Sequence, residues 1–179
     1  LAKLPAVFDR SGAGTLSAGN SSPLTDGASA VALMSEGRAR VEGREIKAVI
    51  VDYEYAAISP DDGLLMAPAI AVPKLLGRLG LKLGDFDLVE IHEAFGAQVE
   101  ANIRAWEKGW KEGAIGTLDR SRLNTLGGSI SIGHPFAATG GRIVTTLTNE
   151  LARRGLRRGL ISICAAGAMA GAMVIERPA

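Results

Sequence analysis

Three short stretches carry the residue types that perform acid–base or nucleophilic chemistry. In "SISIGHPFAATGGRIV", residues 129–144, His134 stands between Gly133 and Pro135 and is one of only two histidines. "EIHEAF", residues 90–95, holds the other, His92, beside Glu93. "SICAAG", residues 162–167, contains Cys164, the single cysteine of the chain. A neutral imidazole can take a proton from a thiol or donate a hydrogen bond to a developing oxyanion. A thiolate can act as base or nucleophile.

Each stretch also has a purely structural reading. Pro135 suits the first position of a helix and biases His134 away from helical backbone angles, which puts the ring at the helix cap. The field there opposes protonation and favours a nearby anion, although a histidine that only caps the helix explains the same pattern. Cys164 is either a small apolar side chain or, close to a helix N-terminus or a histidine, a reactive thiol. The amides of Ala165 to Gly167 can form an anion-binding turn. His92 and Glu93 either cap the following helix, or His92 holds a water or a carbonyl while Glu93 fixes the local geometry. Ala94 and Gly96, flanking Phe95, leave room for something to approach.

The remaining candidates are weaker. Asp61 and Asp62 lack further metal ligands in spacing and read more simply as helix caps, so no metal is expected. Arg153, Arg154, Arg157 and Arg158 suit a phosphate less well than a solvated helix C-terminus. Gly127–Gly128 and Gly140–Gly141 match no phosphate-cradling pattern, and neither zinc spacing nor GxSxG occurs.

The elements that must position these groups follow from composition and pattern. The chain of 179 residues is 47% hydrophobic but only 4% aromatic, with 23 glycines, so its core is aliphatic with close backbone contacts, as in α/β proteins. A net charge of +1 gives no reason to expect nucleic acid. One cysteine excludes an internal disulfide and fits a reducing compartment, bacterial cytoplasmic or mitochondrial. The opening "LAKLPAVF" has neither an initiator methionine nor a signal-like start, which suggests part of something larger. The uncharged run at 159–175 approaches the length of a membrane span, yet its glycines and alanines read better as two short buried strands joined by a turn.

Residues 1–24 read as loops with one possible strand at 15–18. Thr25 and Asp26 would cap a short buried helix running to Met34 and stopped by Gly37. A strand is expected from Ile46 to about Ile58, then a helix capped by Ser59 to Asp62 and disturbed or divided by Pro68 and Pro73. "FDLVEIHEAFGAQVEANIRAW" reads as strand, sharp junction at His92–Glu93, and helix. "NTLGGSISIGHPF" gives a short strand ending before His134, followed by a helix and a final strand hairpin with Cys164 near its first strand's end. The expectation is a mixed α/β fold, five strands with helices on both faces. All three chemical stretches then fall at strand ends, where open α/β sheets bind ligands.

In this order and spacing, "GNSSPLTDGASAVALMSE", "IHEAFGAQVEANI", "NTLGGSISIGHPFAATGGRI" and "CAAGAMAGAMVIE" resemble the C-terminal half of a thiolase over essentially the whole chain. The histidine of "HEAF", where most thiolases have asparagine, is similar to the thiolase subunits of β-oxidation trifunctional complexes. The resemblance implies the C-terminal half of a duplicated thiolase fold, with residues 1–36 as the tail of an N-terminal domain and 37–179 as the C-terminal domain. It implies thiolytic cleavage of 3-ketoacyl-CoA, with coenzyme A as substrate and no resident cofactor. His134 would accept the proton of a nucleophilic cysteine and later help bind the thioester oxygen. Cys164 would be the second catalytic cysteine, protonating the leaving enolate or deprotonating acetyl-CoA in synthesis. His92 would hold the water of one oxyanion site, with Glu93 and Gly133 in support, and the amide of Ala166 would serve the second. Ser22 would lie near the pantetheine arm, and Phe95 near the substrate. The nucleophilic cysteine belongs to the N-terminal half, so that half is an implied partner, together with a second copy of the chain and a hydratase/dehydrogenase subunit. A thiolase fold that binds acyl-CoA or serves a structural role without catalysis is the alternative. Ala168 and Ala170 depart from the family's usual glycines, and either would be strained if its position needs positive φ.

Overall fold

The computed structural model describes residue 1 and residues 3–178. Its centre is one four-stranded mixed sheet. The strands are β1 (Val49–Ala57), β2 (Leu88–Ile91), β3 (Arg158–Ala165) and β4 (Met169–Glu176), in the order β1-β4-β3-β2. β3 and β4 form an antiparallel hairpin, β4 pairs antiparallel with β1, and β2 pairs parallel with β3. The uncharged run at 159–175 is this hairpin. Among the described residues, no helix is long and apolar enough to cross a membrane.

Helices cover both faces. On one side α2 (Pro68–Leu79) and α3 (Gly96–Lys108) lay Ala71, Val72, Leu75, Ile103 and Trp106 against Val89, Ile91, Leu160 and Val174. On the other, α5 (Ala138–Arg153) packs Ile143, Leu147 and Leu151 onto Leu88, Ile161 and Ile175. Alternation along β3 explains this division, because successive side chains point to opposite faces. Pro68 opens α2 at its first turn, where a missing N–H costs nothing. Pro73 lies inside α2 without dividing it, since packing of the buried face outweighs one absent backbone bond. The indole N–H of Trp106 donates to the Pro68 carbonyl at 3.0 Å, joining α2 to α3. Arg78 fixes α2 to β1 through Asp52 at 2.7 Å and Glu54 at 2.5 Å.

Four expectations need correction. The expected fifth strand is absent: Ser129–Ile132 is a four-residue helix, α4, and only the bridge Val89↔Leu123 occupies that edge of the sheet. Positive φ at Asn124 (43°) and Gly127 (83°) turns the chain away before a ladder can form. The possible strand at 15–18 reduces to one bridge, Ala6↔Ser17. The buried helix over 25–34 does not form: these residues run exposed and without regular structure, and α1 is instead Glu36–Val41, capped by Ser35. Leu33 is 72% exposed, so that segment has nothing within this chain to bury its apolar side chains against, and without burial a short helix is marginal. Finally, Pro135 does not open α5, which begins at Ala138 after Ala137 with φ 65°.

Candidate active site

Parallel pairing of β2 and β3 sets Ile91 opposite Ser162, so the carboxyl ends of both strands finish together. His92 follows β2 directly, and its amide continues the ladder to the Ser162 carbonyl at 2.9 Å. Cys164 lies two residues further along β3. The loop before α5 brings in the third group. The rings of His92 and His134 lie with centroids 4.1 Å apart and planes inclined by 38°.

Their surroundings differ. His92 is 2% exposed, and burial first, then the charges of His134 and Arg142, push its pKa down to about 4. His134 is more open, facing a cavity of about 350 Å³ shared with Leu24, Thr25, Asp26, Gly27, Pro135 and Phe136. Its pKa is lowered by desolvation and then by Arg142. Both rings are therefore neutral at neutral pH, by burial and a neighbouring cation rather than by a cap position. The Thr139 hydroxyl donates to the Pro135 carbonyl at 3.1 Å, so at 2.6 Å from Nδ1 of His134 it serves as acceptor. With the hydroxyl proton on the Pro135 carbonyl, the proton of His134 sits on Nδ1 and Nε2 keeps the lone pair of a base.

The Cys164 thiol is buried, and desolvation pushes it up to about 11 although the amides of Cys164 and Ala94 partly oppose this. Its resting form is therefore the protonated thiol, an acid in waiting rather than a ready nucleophile. Glu93 does not cap α3. Its carboxylate accepts from the Asn124 amide at 2.7 Å and from the Ile130 N–H at 3.1 Å, capping α4 instead. A Cβ on Gly128 would fall within contact distance of that carboxylate, which explains the glycine.

What approaches Ala94 and Gly96 is the chain's own N-terminal segment. Ser22 donates its amide to the Ala94 carbonyl at 3.0 Å, and Gly96 donates to Asn20 at 2.9 Å. Phe95 is half-buried and stacks edge-on against Phe8, with centroids 5.6 Å apart. The same segment continues to the histidine loop, where the His134 amide donates to the Pro23 carbonyl at 3.1 Å. Gly133, with φ 99°, lies against Thr25, where any side chain would collide. Ala166 lies in the exposed turn between β3 and β4. In that turn Ala168, not Ala170, takes positive φ, at 56°.

Most of the other charged candidates are paired away from the site. Asp62 pairs with Lys111 at 2.6 Å, and Ser59 caps the short 3-10 turn at 60–62. Arg153 pairs with Glu150, while Arg157 and Arg158 pair with Glu176.

The sequence profile of the thiolase C-terminal domain matches residues 44–177, and that of the thiolase N-terminal domain matches residues 1–37. The chain belongs to the thiolase family. It is 50% identical over 182 residues to a 3-ketoacyl-CoA thiolase of Shewanella amazonensis, covering 98% of this chain and 42% of that protein. Among solved thiolase structures it superposes on the Bacillus anthracis acetyl-CoA acetyltransferase with a TM-score of 0.83 at 37% identity. On human mitochondrial 3-ketoacyl-CoA thiolase the TM-score is 0.84 at 34% identity; each match covers 99% of this chain and 42% of the other. Another human structure of similar likeness holds CoA. The chain thus spans about two-fifths of the relatives it matches.

Asn124, Ser129, Thr139 and Arg142 were not singled out from the sequence as site residues. Thr139 and Arg142 lie one turn apart on α5 and so share a face, a spacing that was readable. Asn124 gave a subtler signal, an asparagine in a turn ahead of two glycines. Its amide takes both backbone groups of Ile91, at 2.8 and 2.9 Å, in place of a neighbouring strand.

Proposed function

We propose that the chain is the C-terminal catalytic half of a 3-ketoacyl-CoA thiolase, cleaving 3-ketoacyl-CoA by CoA together with the half that carries the nucleophilic cysteine. The observations that carry this reading are the close pair of neutral histidines His92 and His134 and a buried, protonated thiol near the end of β3, the strand paired with the one His92 follows. Nε2 of His134 takes the proton of the partner thiol, whose sulfur attacks the C3 carbonyl. The C2–C3 bond breaks, its electron pair passes to the acetyl-CoA enolate, and the Cys164 S–H supplies the proton to C2. CoA thiol then gives its proton to the Cys164 thiolate and attacks the acyl thioester, the C–S bond to the partner cysteine breaks as shortened acyl-CoA is released, and His134 returns its proton to the partner sulfur. His92 holds the water, or the oxygen itself, of one oxyanion site, with Glu93 and Gly133 fixing the two loops; the Ala166 amide serves the other. A thiol whose pKa burial pushes up to about 11 is protonated at neutral pH, which suits cleavage, where it acts as the acid, better than synthesis, where it must first be deprotonated.

On the same reading, residues 1–36 are the tail of the N-terminal domain and 37–179 the C-terminal domain. Ser22 and Phe95 act near the pantetheine and acyl groups through the loop they stitch. A second copy of the chain and, given "HEAF", a hydratase/dehydrogenase subunit are the expected protein partners, in a bacterial cytoplasm or a mitochondrion. The test is thiolysis of 3-ketoacyl-CoA by the protein assembled with its cysteine-bearing half. Cys164→Ser and His134→Ala are each expected to lower kcat by at least 100-fold. Rates close to wild type in both would sink the assignment and leave an acyl-CoA-binding or structural role.

A further inference from the structure

His92 and Ser129 are joined side chain to side chain, and the direction of that bond decides what His92 can do. Nδ1 of His92 lies 2.8 Å from the Ser129 hydroxyl oxygen. The same oxygen receives an N–H of Arg142 at 3.1 Å. Ser129 is completely buried, and a guanidinium can only donate. The hydroxyl proton therefore has one acceptor among these partners, Nδ1 of His92. That leaves the ring proton on Nε2.

We propose that Ser129, oriented by Arg142, is a positioning residue that holds His92 as an Nε2–H donor, the tautomer opposite to that of His134. The inference rests on the thiolase reading only for what the donor is used for. Thr139 fixes His134 with its proton on Nδ1, whereas Ser129 fixes His92 with its proton on Nε2. Two adjacent imidazoles, chemically alike, are thereby divided into one acceptor and one donor. Were both to carry Nδ1–H, the site would hold two bases and no side-chain donor for an oxyanion. Arg142 also polarises the serine O–H, strengthening its bond to Nδ1. Protonated His92 would carry N–H at both nitrogens, strand the serine proton, and face Arg142 as a like charge. His134 packs against the same ring, and Glu90 and Glu93 are the carboxylates nearby. The bond thus selects both the neutral state and the tautomer. An asparagine at position 92 would donate from its amide without such help, so the serine is needed because a histidine stands there.

The test uses ¹⁵N-histidine incorporated in this chain, which contains only two histidines, within the protein assembled with its cysteine-bearing half. At pH 8 the imidazole spectra are expected to show one ring protonated at Nε2 and the other at Nδ1. Two rings in the same tautomer would overturn the proposal without any variant being made. In Ser129→Ala, His92 is expected to become a mixture of tautomers, with kcat for thiolysis falling about 10- to 100-fold and KM within about threefold. Ser129→Thr, which keeps the hydroxyl, is expected to restore both the Nε2–H signal and most of kcat. A Ser129→Ala protein with unchanged kcat and unchanged His92 tautomer also overturns it. Opposite tautomers in a wild-type protein that performs no thiolysis would support the serine's role and overturn the thiolase reading instead.

Discussion

At the scale of single residues, burial sets the charge states and so the pH behaviour. His92 is neutral in the fold down to about pH 4, while in the unfolded chain it titrates at 6.5. Above pH 6.5 both states are neutral and the ring contributes nothing to pH dependence. As pH falls towards 4 the unfolded ring binds a proton that the folded ring refuses, and the fold loses about 3 kcal/mol. Urea titration of wild type and His92→Asn should show this extra acid loss in the wild type only. Glu90 works in the opposite sense. It is buried on β2, and burial, outweighing Arg142, pushes its carboxyl up to about 7 from 4.5. The fold thus prefers the acid form, and stability falls as pH rises from 4.5 to 7. Glu90→Gln should therefore gain about 3 kcal/mol on wild type between pH 4 and 7, read from the same titration. In the native protein the two slopes largely cancel across this window, keeping the site's stability flat while His92 stays neutral. Glu90 is the one carboxylate on β2, and only packing shows that it has no solvent.

Elements inherit their form from how they meet the sheet rather than from local propensity. "SISI" alternates serine and isoleucine, the period of a half-buried strand, yet it forms a helical turn. The Glu93 carboxylate takes the Ile130 amide, and Asn124 already occupies the edge of β2 that a strand would need. This interlock favours glycine at 128: Gly128→Ala drives a methyl into the Glu93 carboxylate and should cost about 1–3 kcal/mol, measured by thermal or urea unfolding. The β3–β4 turn gives the contrary case. Ala168 is held at φ 56° with no exposure, and its carbonyl accepts the Ile58 amide at 3.0 Å. Left-handed backbone costs alanine about 1 kcal/mol that glycine avoids, so Ala168→Gly should raise the unfolding free energy by about that amount. The departure from the glycine pattern was legible in the sequence. Which of the two alanines bears the strain was not, since that depends on the hairpin register.

Over the whole molecule, order is graded from the hairpin outwards. β3 is hydrogen-bonded on both sides and sandwiched between α2/α3 and α5, with Leu160 fully buried. Residues 25–34 run along the site without regular structure, held by contacts such as the Ser29 hydroxyl to the Ala138 carbonyl at 2.7 Å. Amide exchange should therefore be slower in β3 than in residues 25–34 by about three orders of magnitude or more, as measured by mass spectrometry or NMR. A protection pattern with the two segments alike would mean that the N-terminal segment is part of the cooperative core.

By itself the sequence determined the α/β class, the final hairpin, the three reactive side chains, and the places of His92 just after β2 and of Cys164 near the end of β3; the strand expected before His134 is the helix α4. These depend on local composition, β-branched runs and short motifs, all of which lie within a few residues. It also carried the family, because order and spacing of motifs survive without any contact being known. The tertiary structure decided the number of strands, the true helix starts, and above all the protonation of each group. Only packing brings His92 to His134, puts Ser129 and Arg142 behind one ring and Thr139 behind the other, and removes water from the Cys164 thiol. Charge and tautomer are properties of surroundings assembled from distant parts of the chain, and no single stretch of sequence contains them.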